Sequence, residues 1–275
     1  MNKERIAIIT EGDVRELEIF DNIRSIFFKT DSIDIIALPA GENIYMLWKQ
    51  LKDDDFQTDI IEIVREQNDA AAKILDKHTR DDFSEIYLFF DYDGHQDNLS
   101  DEEEGIDVLE QMLGAFDNET ENGLLYVSYP MAESVRDYVE DDCAVLGNCY
   151  VLVDDLSDYK HISSKNHKHN KLKSYGIVEW EDIIDSFARR LSCLLGREEV
   201  LSYSEYKSEV TPESIYIFQN RSLSMEKRLR CVRFLNFCWI IIKRHSGGRW
   251  LSIKRIESES VGKKGHYNYK MGGIR

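Results

Sequence analysis

Three acidic residues directly follow short apolar segments of this sequence. Residues 6–10 form a β-branched apolar run that stops at Glu11, and residues 85–90 form an apolar run that stops at Asp91 and Asp93. Alternate side chains of an extended segment share a face, so Asp91 and Asp93 can point the same way. Carboxylates of this kind hold Mg²⁺ together with waters and substrate phosphates. The pattern therefore predicts a divalent-cation site.

The segments that end in these acids belong to a predicted α/β fold. Strand-like runs occur at 6–10, 32–38, 85–90 and 124–127, with a further candidate at 150–153, and helical patterns alternate with them. This alternation predicts a mainly parallel sheet of about four to five strands flanked by helices. The carboxyl ends of parallel strands share one edge, where ligands collect. Glu11, Asp91 and Asp93 are therefore expected to meet there.

The composition changes along the chain after about residue 155. We interpret residues 1–155 as the α/β domain, with a helical insertion at about 43–82. Residues 156–275 are interpreted as a helical module that ends in a basic tail. Within this module, the apolar spacing predicts helices at 180–195 and 225–243.

The two acid-bearing motifs resemble those of a known domain. IITEG at 8–12 and LFFDYDG at 88–94 resemble the Toprim domain of topoisomerases, bacterial primases, 5S-RNA maturase and OLD-type and abortive-infection nucleases. The resemblance covers about residues 4–140 and implies a Toprim, Rossmann-like fold. It implies acid–base chemistry or metal binding for Glu11, and Mg²⁺ binding, with Mn²⁺ as a substitute, for Asp91 and Asp93. The helical insertion is typical of the nuclease branch.

Further acids near these motifs are candidates for a second metal ion. Glu133 follows the strand-like run 124–127 in a context that resembles defence-associated Toprim proteins; alternatively, it is a charge favoured by a helix dipole. OLD-type nucleases place an acid where this chain has Arg15, so Asp13 and Glu16 are the substitutes. Gly12 would let a phosphate approach the backbone closely.

Basic residues and one histidine are candidates for contacts to substrate. His95 follows the aspartate pair and could contact substrate or transfer a proton; the alternative is an exposed loop histidine. Segment 159–173 carries candidate phosphate-binding lysines, although a solvated loop explains them equally well. These lysines are Lys160, Lys165, Lys168, Lys171 and Lys173.

Composition limits the compartment and the partners. The net charge of −17 argues against non-specific coating of nucleic acid and leaves binding through bound cations or a local basic patch. Five cysteines without a C-x-x-C pair indicate reduced cytosolic thiols. The longest apolar run is too short to span a bilayer. We expect a cytoplasmic protein that does not bind membranes.

The motifs and the resemblance together predict a magnesium-dependent nuclease that cleaves DNA or RNA, with tRNA among the candidates. The resemblance further implies an anti-phage effector controlled by a separate ATPase subunit, because the chain lacks a P-loop motif of its own. The alternatives are a metal-dependent phosphatase or phosphotransferase, and a non-catalytic regulatory subunit. Homo-oligomerisation is left open.

Overall fold

The computed structural model describes residues 4–28, 33–92, 105–137, 150–165, 171–197 and 199–231. Its main sheet contains β1 (Glu4–Thr10), β2 (Ile33–Pro39), β3 (Glu85–Asp91), β4 (Asp117–Asn118) and β5 (Gly123–Ser128). The strand order is β2-β1-β3-β5-β4, and only β4 runs antiparallel to its neighbour. The predicted α/β class with a mostly parallel sheet is confirmed, as are the strands predicted at 6–10, 32–38, 85–90 and 124–127.

Helices flank this sheet. The α-helices of the described residues are α1 (Arg15–Phe27), α2 (Ile44–Asp53), α3 (Ile60–Gln67), α4 (Asp69–Ile74), α5 (Gly105–Ala115), α6 (Tyr159–Ser164), α7 (Ile177–Leu194), α8 (Tyr203–Glu209) and α9 (Pro212–Glu226). Side-chain oxygens of Asn43, Asp59 and Asn68 cap α2, α3 and α4 by accepting hydrogen bonds from first-turn backbone N–H groups. These caps fix where each helix of the segment 43–82 begins.

Both faces of the sheet are buried, which explains why its strands read as continuous apolar runs. Ile6 and Ile8 of β1 join a core on the face that carries α1 and α7, where Trp180 is fully buried. Ala7 and Ile9 point to the opposite face, which α2, α3 and α5 cover. The core on the face of α1 and α7 therefore contains side chains from residues 1–155 and from residues 156–275.

One predicted strand lies outside the main sheet, and one predicted helix is wrong. The candidate strand at 150–153 forms β6 (Tyr150–Leu152), which pairs antiparallel with β7 (Arg228–Arg230) in a separate sheet. The predicted helix 225–243 fails at β7, because α9 ends at Glu226 and Lys227 is left-handed, with φ 54°. Pairing between distant short strands overrides local helical spacing here. Residues beyond 231 lie outside the described part of the chain.

Two further expectations concern the membrane and the cysteines. None of the helices that the structure describes has the length and apolar character needed to cross a bilayer. Cys193 and Cys231 are free thiols, and the other three cysteines lie outside the described residues.

Candidate active site

Glu11 and Asp91 lie side by side at the carboxyl edge of the sheet. Glu11 directly follows β1, and its backbone N–H donates to the Phe89 carbonyl at 3.1 Å, which extends the ladder between β1 and β3. The backbone N–H of Asp91, the last residue of β3, donates to Glu11 Oε2 at 3.0 Å. Parallel pairing in this register thus brings together two acids that are 80 residues apart in sequence.

A second hydrogen bond connects Asp91 to the segment after β5. The backbone N–H of Ala132 donates to Asp91 Oδ1 at 2.7 Å. Ala132 begins a short 3₁₀ helix, Ala132–Asp137, which also contains Glu133. The Tyr92 N–H donates to the Ser128 carbonyl at 2.9 Å, so β3 and β5 stay paired up to this point. The Asp91 carboxylate is therefore oriented by the backbone of the loop that follows β5.

Glu16 lies in the first turn of α1 and is buried, with 8% of its surface exposed. Its carboxylate turns back to the loop after β1, since a Cβ at Gly12 would lie 2.5 Å from Glu16 Oε2. Glycine at position 12 thus makes room for this carboxylate. Among the described residues, the Glu16 carboxylate has no hydrogen-bond or ion-pair partner. A cation bound beside Gly12 would offset the charge of this carboxylate.

The other predicted ligands do not complete a three-residue cluster among the described residues. Within those ranges, no group of three His, Cys, Asp or Glu side chains is arranged to hold a metal ion. Glu133 is half-buried and Asp13 is exposed. Asp93 and His95 lie outside the described residues. The structure therefore brings Glu11 and Asp91 together. Asp13 and Glu16 lie in the segment that follows β1, and Glu133 lies in the segment that follows β5.

Four of the candidate phosphate-binding lysines lie in the described residues, in segments that pack on the side of the sheet that carries α1. Lys173 Nζ lies 3.1 Å from Glu18 Oε1 of α1, and Lys173 is 76% exposed. Lys160, Lys165 and Lys171 are exposed, and α6, which contains Lys160, packs against the 3₁₀ helix Ala132–Asp137. Lys168 lies outside the described residues. The cationic charge of Lys173 is partly offset by Glu18.

Asn22 connects this lysine segment and α7 to α1, through contacts that the sequence reasoning missed. Its Nδ2 donates to the carbonyls of Lys173 and Tyr175, both at 3.3 Å. Its Oδ1 accepts a hydrogen bond from Trp180 Nε1 of α7 at 2.5 Å. We call these three contacts the Asn22 clasp. No local sequence signal announces them, because the partners are more than 150 residues away.

Tyrosine side chains pack beneath the carboxyl edge of the sheet. Tyr129, directly after β5, is 2% exposed, and its ring lies 5.3 Å from the ring of Tyr92. Burial raises the pKa of Tyr129 well above its usual value, and the neighbouring hydroxyls of Tyr92, Tyr216 and Tyr45 add to the shift. Tyr129 is therefore a neutral phenol throughout the physiological range.

Comparison with family models, curated proteins and solved structures finds no match to this chain. The resemblance to the Toprim domain consequently depends on the two short motifs at 8–12 and 88–94 and on their order along the sheet. Any functional conclusion must come from the geometry of Glu11, Asp91 and the loops around them.

Proposed function

We propose that this chain is a magnesium-dependent nuclease of the Toprim type that cleaves phosphodiester bonds of DNA or RNA. The observation that carries the proposal is the hydrogen bond from Asp91 N–H to Glu11 Oε2 at the carboxyl edge of a parallel sheet. Ligands of open α/β sheets bind at this edge. A cation bound between two carboxylates at this edge would offset their mutual repulsion.

The chemistry of the donor set fits magnesium. Mg²⁺ in phosphoryl-transfer sites is held by one or two carboxylates, with water and substrate phosphates as the other ligands. Glu11 and Asp91 supply two such carboxylates, and Asp93 is proposed as the third. Glu16 is proposed as a further ligand, because its carboxylate turns back toward Gly12, directly after Glu11. Bound Mg²⁺ would supply an activated water and charge for the leaving oxygen.

The residues of this chain would orient the substrate and its ligands in defined ways. Ala132 N–H fixes the rotation of the Asp91 carboxylate, and Asp91 N–H fixes that of Glu11. Glu133, one residue after Ala132, is proposed to contribute to a second cation site. Lys160 and Lys171, both exposed, are proposed to contact neighbouring phosphates. The strongly negative chain would thus receive a polyanion only where cations and lysines offset its charge.

The resemblance to OLD-type nucleases suggests a biological setting. We propose an anti-phage effector that a separate ATPase subunit controls. A nuclease that damages its own cell must be held inactive, and control by a partner would achieve this. Mixing the chain with candidate ATPases from the same genomic neighbourhood, and following complex formation by light scattering, would test this part independently of catalysis.

The catalytic proposal predicts that removing one charge from either acid abolishes cleavage. Glu11→Gln and Asp91→Asn retain the oxygens that accept hydrogen bonds from Asp91 N–H and Ala132 N–H, so the fold should be preserved. We expect the rate of Mg²⁺- or Mn²⁺-dependent cleavage of labelled tRNA or plasmid to fall by about 100-fold or more. Asp117→Asn and Glu121→Gln make the same chemical changes near the opposite edge of the sheet and should cleave at the parental rate.

Cleavage at the parental rate by both Glu11→Gln and Asp91→Asn would refute the proposed site. A chromogenic phosphomonoester tested in parallel separates the nuclease from a phosphatase. If the parent hydrolyses only the monoester, with the same dependence on Glu11 and Asp91, the chain is a phosphatase that uses this site.

A non-catalytic role is the second candidate, and one observation favours it. Both acids accept hydrogen bonds from the backbone, so they also connect the ends of β1 and β3 with the loop after β5. If this connection is their whole role, Glu11→Ala should destabilise the chain by about 1–3 kcal/mol. Glu11→Gln should then change neither stability nor any metal-dependent activity.

A further inference from the structure

Asn68, between α3 and α4, presents an amide of fixed orientation. Its Oδ1 accepts hydrogen bonds from the backbone N–H groups of Ala70 at 2.9 Å and Ala71 at 3.1 Å. Two N–H donors at the same atom require an oxygen there, so the other amide atom must be the nitrogen. Nδ2 is therefore held in one place and carries two N–H groups. Within the described ranges, Nδ2 has no hydrogen-bond acceptor.

This nitrogen lies at the carboxyl edge of the sheet, beside the loop that follows β2. A Cβ at Gly41 would lie 2.6 Å from Asn68 Nδ2. Gly41 follows β2, and its N–H donates to the Glu11 carbonyl at 3.2 Å. The absence of a side chain at Gly41 is what allows the amide to approach. Asn68 thus lies on the β2 side of Glu11, whereas Asp91 lies on its β3 side.

The charge of this edge determines which kind of donor can bind a phosphate beside the acids. Glu11 and Asp91, with Glu16 in the following helix, bring several carboxylates to this edge. A cation held at Glu11 and Asp91 can offset the charge of the phosphate that it contacts, but not that of the next phosphate along the strand. A neutral amide donor can bind that second phosphate without adding charge.

We propose that Asn68 Nδ2 donates a hydrogen bond to a phosphate oxygen of the nucleotide next to the scissile phosphodiester. This inference rests on the proposed function and names a substrate-binding residue outside both motifs. Gly41, against which the Asn68 amide lies, follows β2, and Asp91 ends β3; these strands are two positions apart in the sheet, which corresponds to about 10 Å. One oligonucleotide can contact both residues, whereas a substrate with a single phosphodiester and no flanking phosphate contacts only the acids.

The substitution Asn68→Asp separates substrate binding from helix capping. Aspartate retains the oxygen that accepts from Ala70 and Ala71 and is as good a helix cap as asparagine. It replaces the donor by a negative charge. Asn118→Asp is the matched control, because Asn118 Oδ1 likewise accepts from Thr120 N–H at 3.0 Å and lies near the opposite edge of the sheet.

The experiment compares two substrates with the full chain in Mg²⁺ or Mn²⁺. One is a fluorescein-labelled single-stranded oligonucleotide, and the other is thymidine 5′-(p-nitrophenyl phosphate), a diester without a flanking phosphate. For Asn68→Asp we expect kcat/KM on the oligonucleotide to fall about 10- to 100-fold, as expected when a hydrogen bond to a charged group is lost and a like charge is added. The rate on the chromogenic diester should stay within about twofold of the parent, and Asn118→Asp should match the parent on both substrates.

Two results would overturn the role of Asn68 while leaving the nuclease proposal intact. One is parental cleavage of the oligonucleotide by Asn68→Asp, in an assay where Asp91→Asn is inactive. The other is an equal loss on both substrates, which would indicate a structural effect on the acids. If the parent cleaves neither of these substrates, nor labelled tRNA or plasmid, the proposed function fails and this inference fails with it.

Discussion

Gly41 is the residue at which backbone conformation and the candidate site meet. Its φ of +77° lies in the left-handed region, and a Cβ there would contact Asn68 Nδ2 at 2.6 Å. Any other residue would therefore strain the backbone and displace the amide that caps α4. The loop after β2 depends on glycine for both reasons.

Gly41→Ala should lower the free energy of unfolding by about 1–3 kcal/mol, through left-handed strain and partial loss of the Asn68 cap. Urea denaturation followed by circular dichroism would measure this loss. Gly114→Ala is the control, because Gly114 lies in α5 and a Cβ there meets no atom within 4 Å. That variant should be stabilised by up to about 1 kcal/mol. Equal effects at the two positions would contradict the argument.

Sequence reasoning reached some of the site's residues and missed others for a physical reason. Glu11 and Asp91 could be placed together because both follow apolar strands, and the carboxyl ends of parallel strands share an edge. Ala132 could not be found, because its contribution is a backbone N–H, which every residue except proline carries. The sequence around Asn68 indicates only a helix cap, and a helix cap does not indicate what the amide nitrogen of Asn68 contacts.

Among the elements, α1 connects the candidate site to the second part of the chain. The helix begins four residues after Glu11, and in its middle Asn22 forms the clasp with Lys173, Tyr175 and Trp180. Trp180 is fully buried in the core that also contains Ile19 and Ile23 of α1. A movement of α7 relative to α1 would therefore be transmitted to the first turn of α1, close to Gly12.

Asn22→Ala should destabilise the chain by about 1–3 kcal/mol, because the buried Trp180 indole N–H loses its acceptor. Urea unfolding monitored by tryptophan fluorescence would report the change. Asn122→Ala removes a longer, exposed hydrogen bond to the Ala115 carbonyl, at 3.4 Å, and should change stability by less than about 0.5 kcal/mol. A loss at Asn22 no larger than that at Asn122 would show that the clasp contributes nothing.

Elements with strong local patterns were predictable, and elements that depend on distant partners were not. The runs at 6–10 and 85–90 are apolar on both faces, which is typical of central parallel strands. β4 has two residues, too few to form a pattern, and exists because it pairs with the start of β5. β7 forms because it pairs with β6, although the sequence around β7 has helical spacing.

At the scale of the whole molecule, buried phenols make the fold sensitive to alkali. Burial raises the pKa of Tyr175 to about 12, although nearby Arg136 opposes the shift. Burial is also the main cause of the raised pKa values of Tyr87 and Tyr129. In the unfolded chain these groups lose their protons near pH 10, whereas the folded chain retains them. Their stabilising contribution is complete below pH 10 and is lost as the pH rises through the folded pKa values.

Tyr129→Phe should reduce this alkaline loss. Above about pH 10, the free energy of unfolding of the variant should fall less steeply than that of the parent, by about 1.4 kcal/mol per pH unit. At neutral pH the variant should be as stable as the parent or slightly more so, because the Tyr129 hydroxyl is buried without a hydrogen-bond partner in the described residues. Urea titrations between pH 8 and about 11 would measure both effects; identical slopes would refute the argument.

Helix α9 places two consecutive residues in different cores. Ile215 belongs to the core on the face of α1 and α7, and Tyr216 belongs to the core on the face of α2 and α5. Helix α9 therefore packs against both layers of the fold, near Tyr129. Packing around the carboxyl edge of the sheet thus includes side chains from a segment more than 100 residues after Asp91 in sequence.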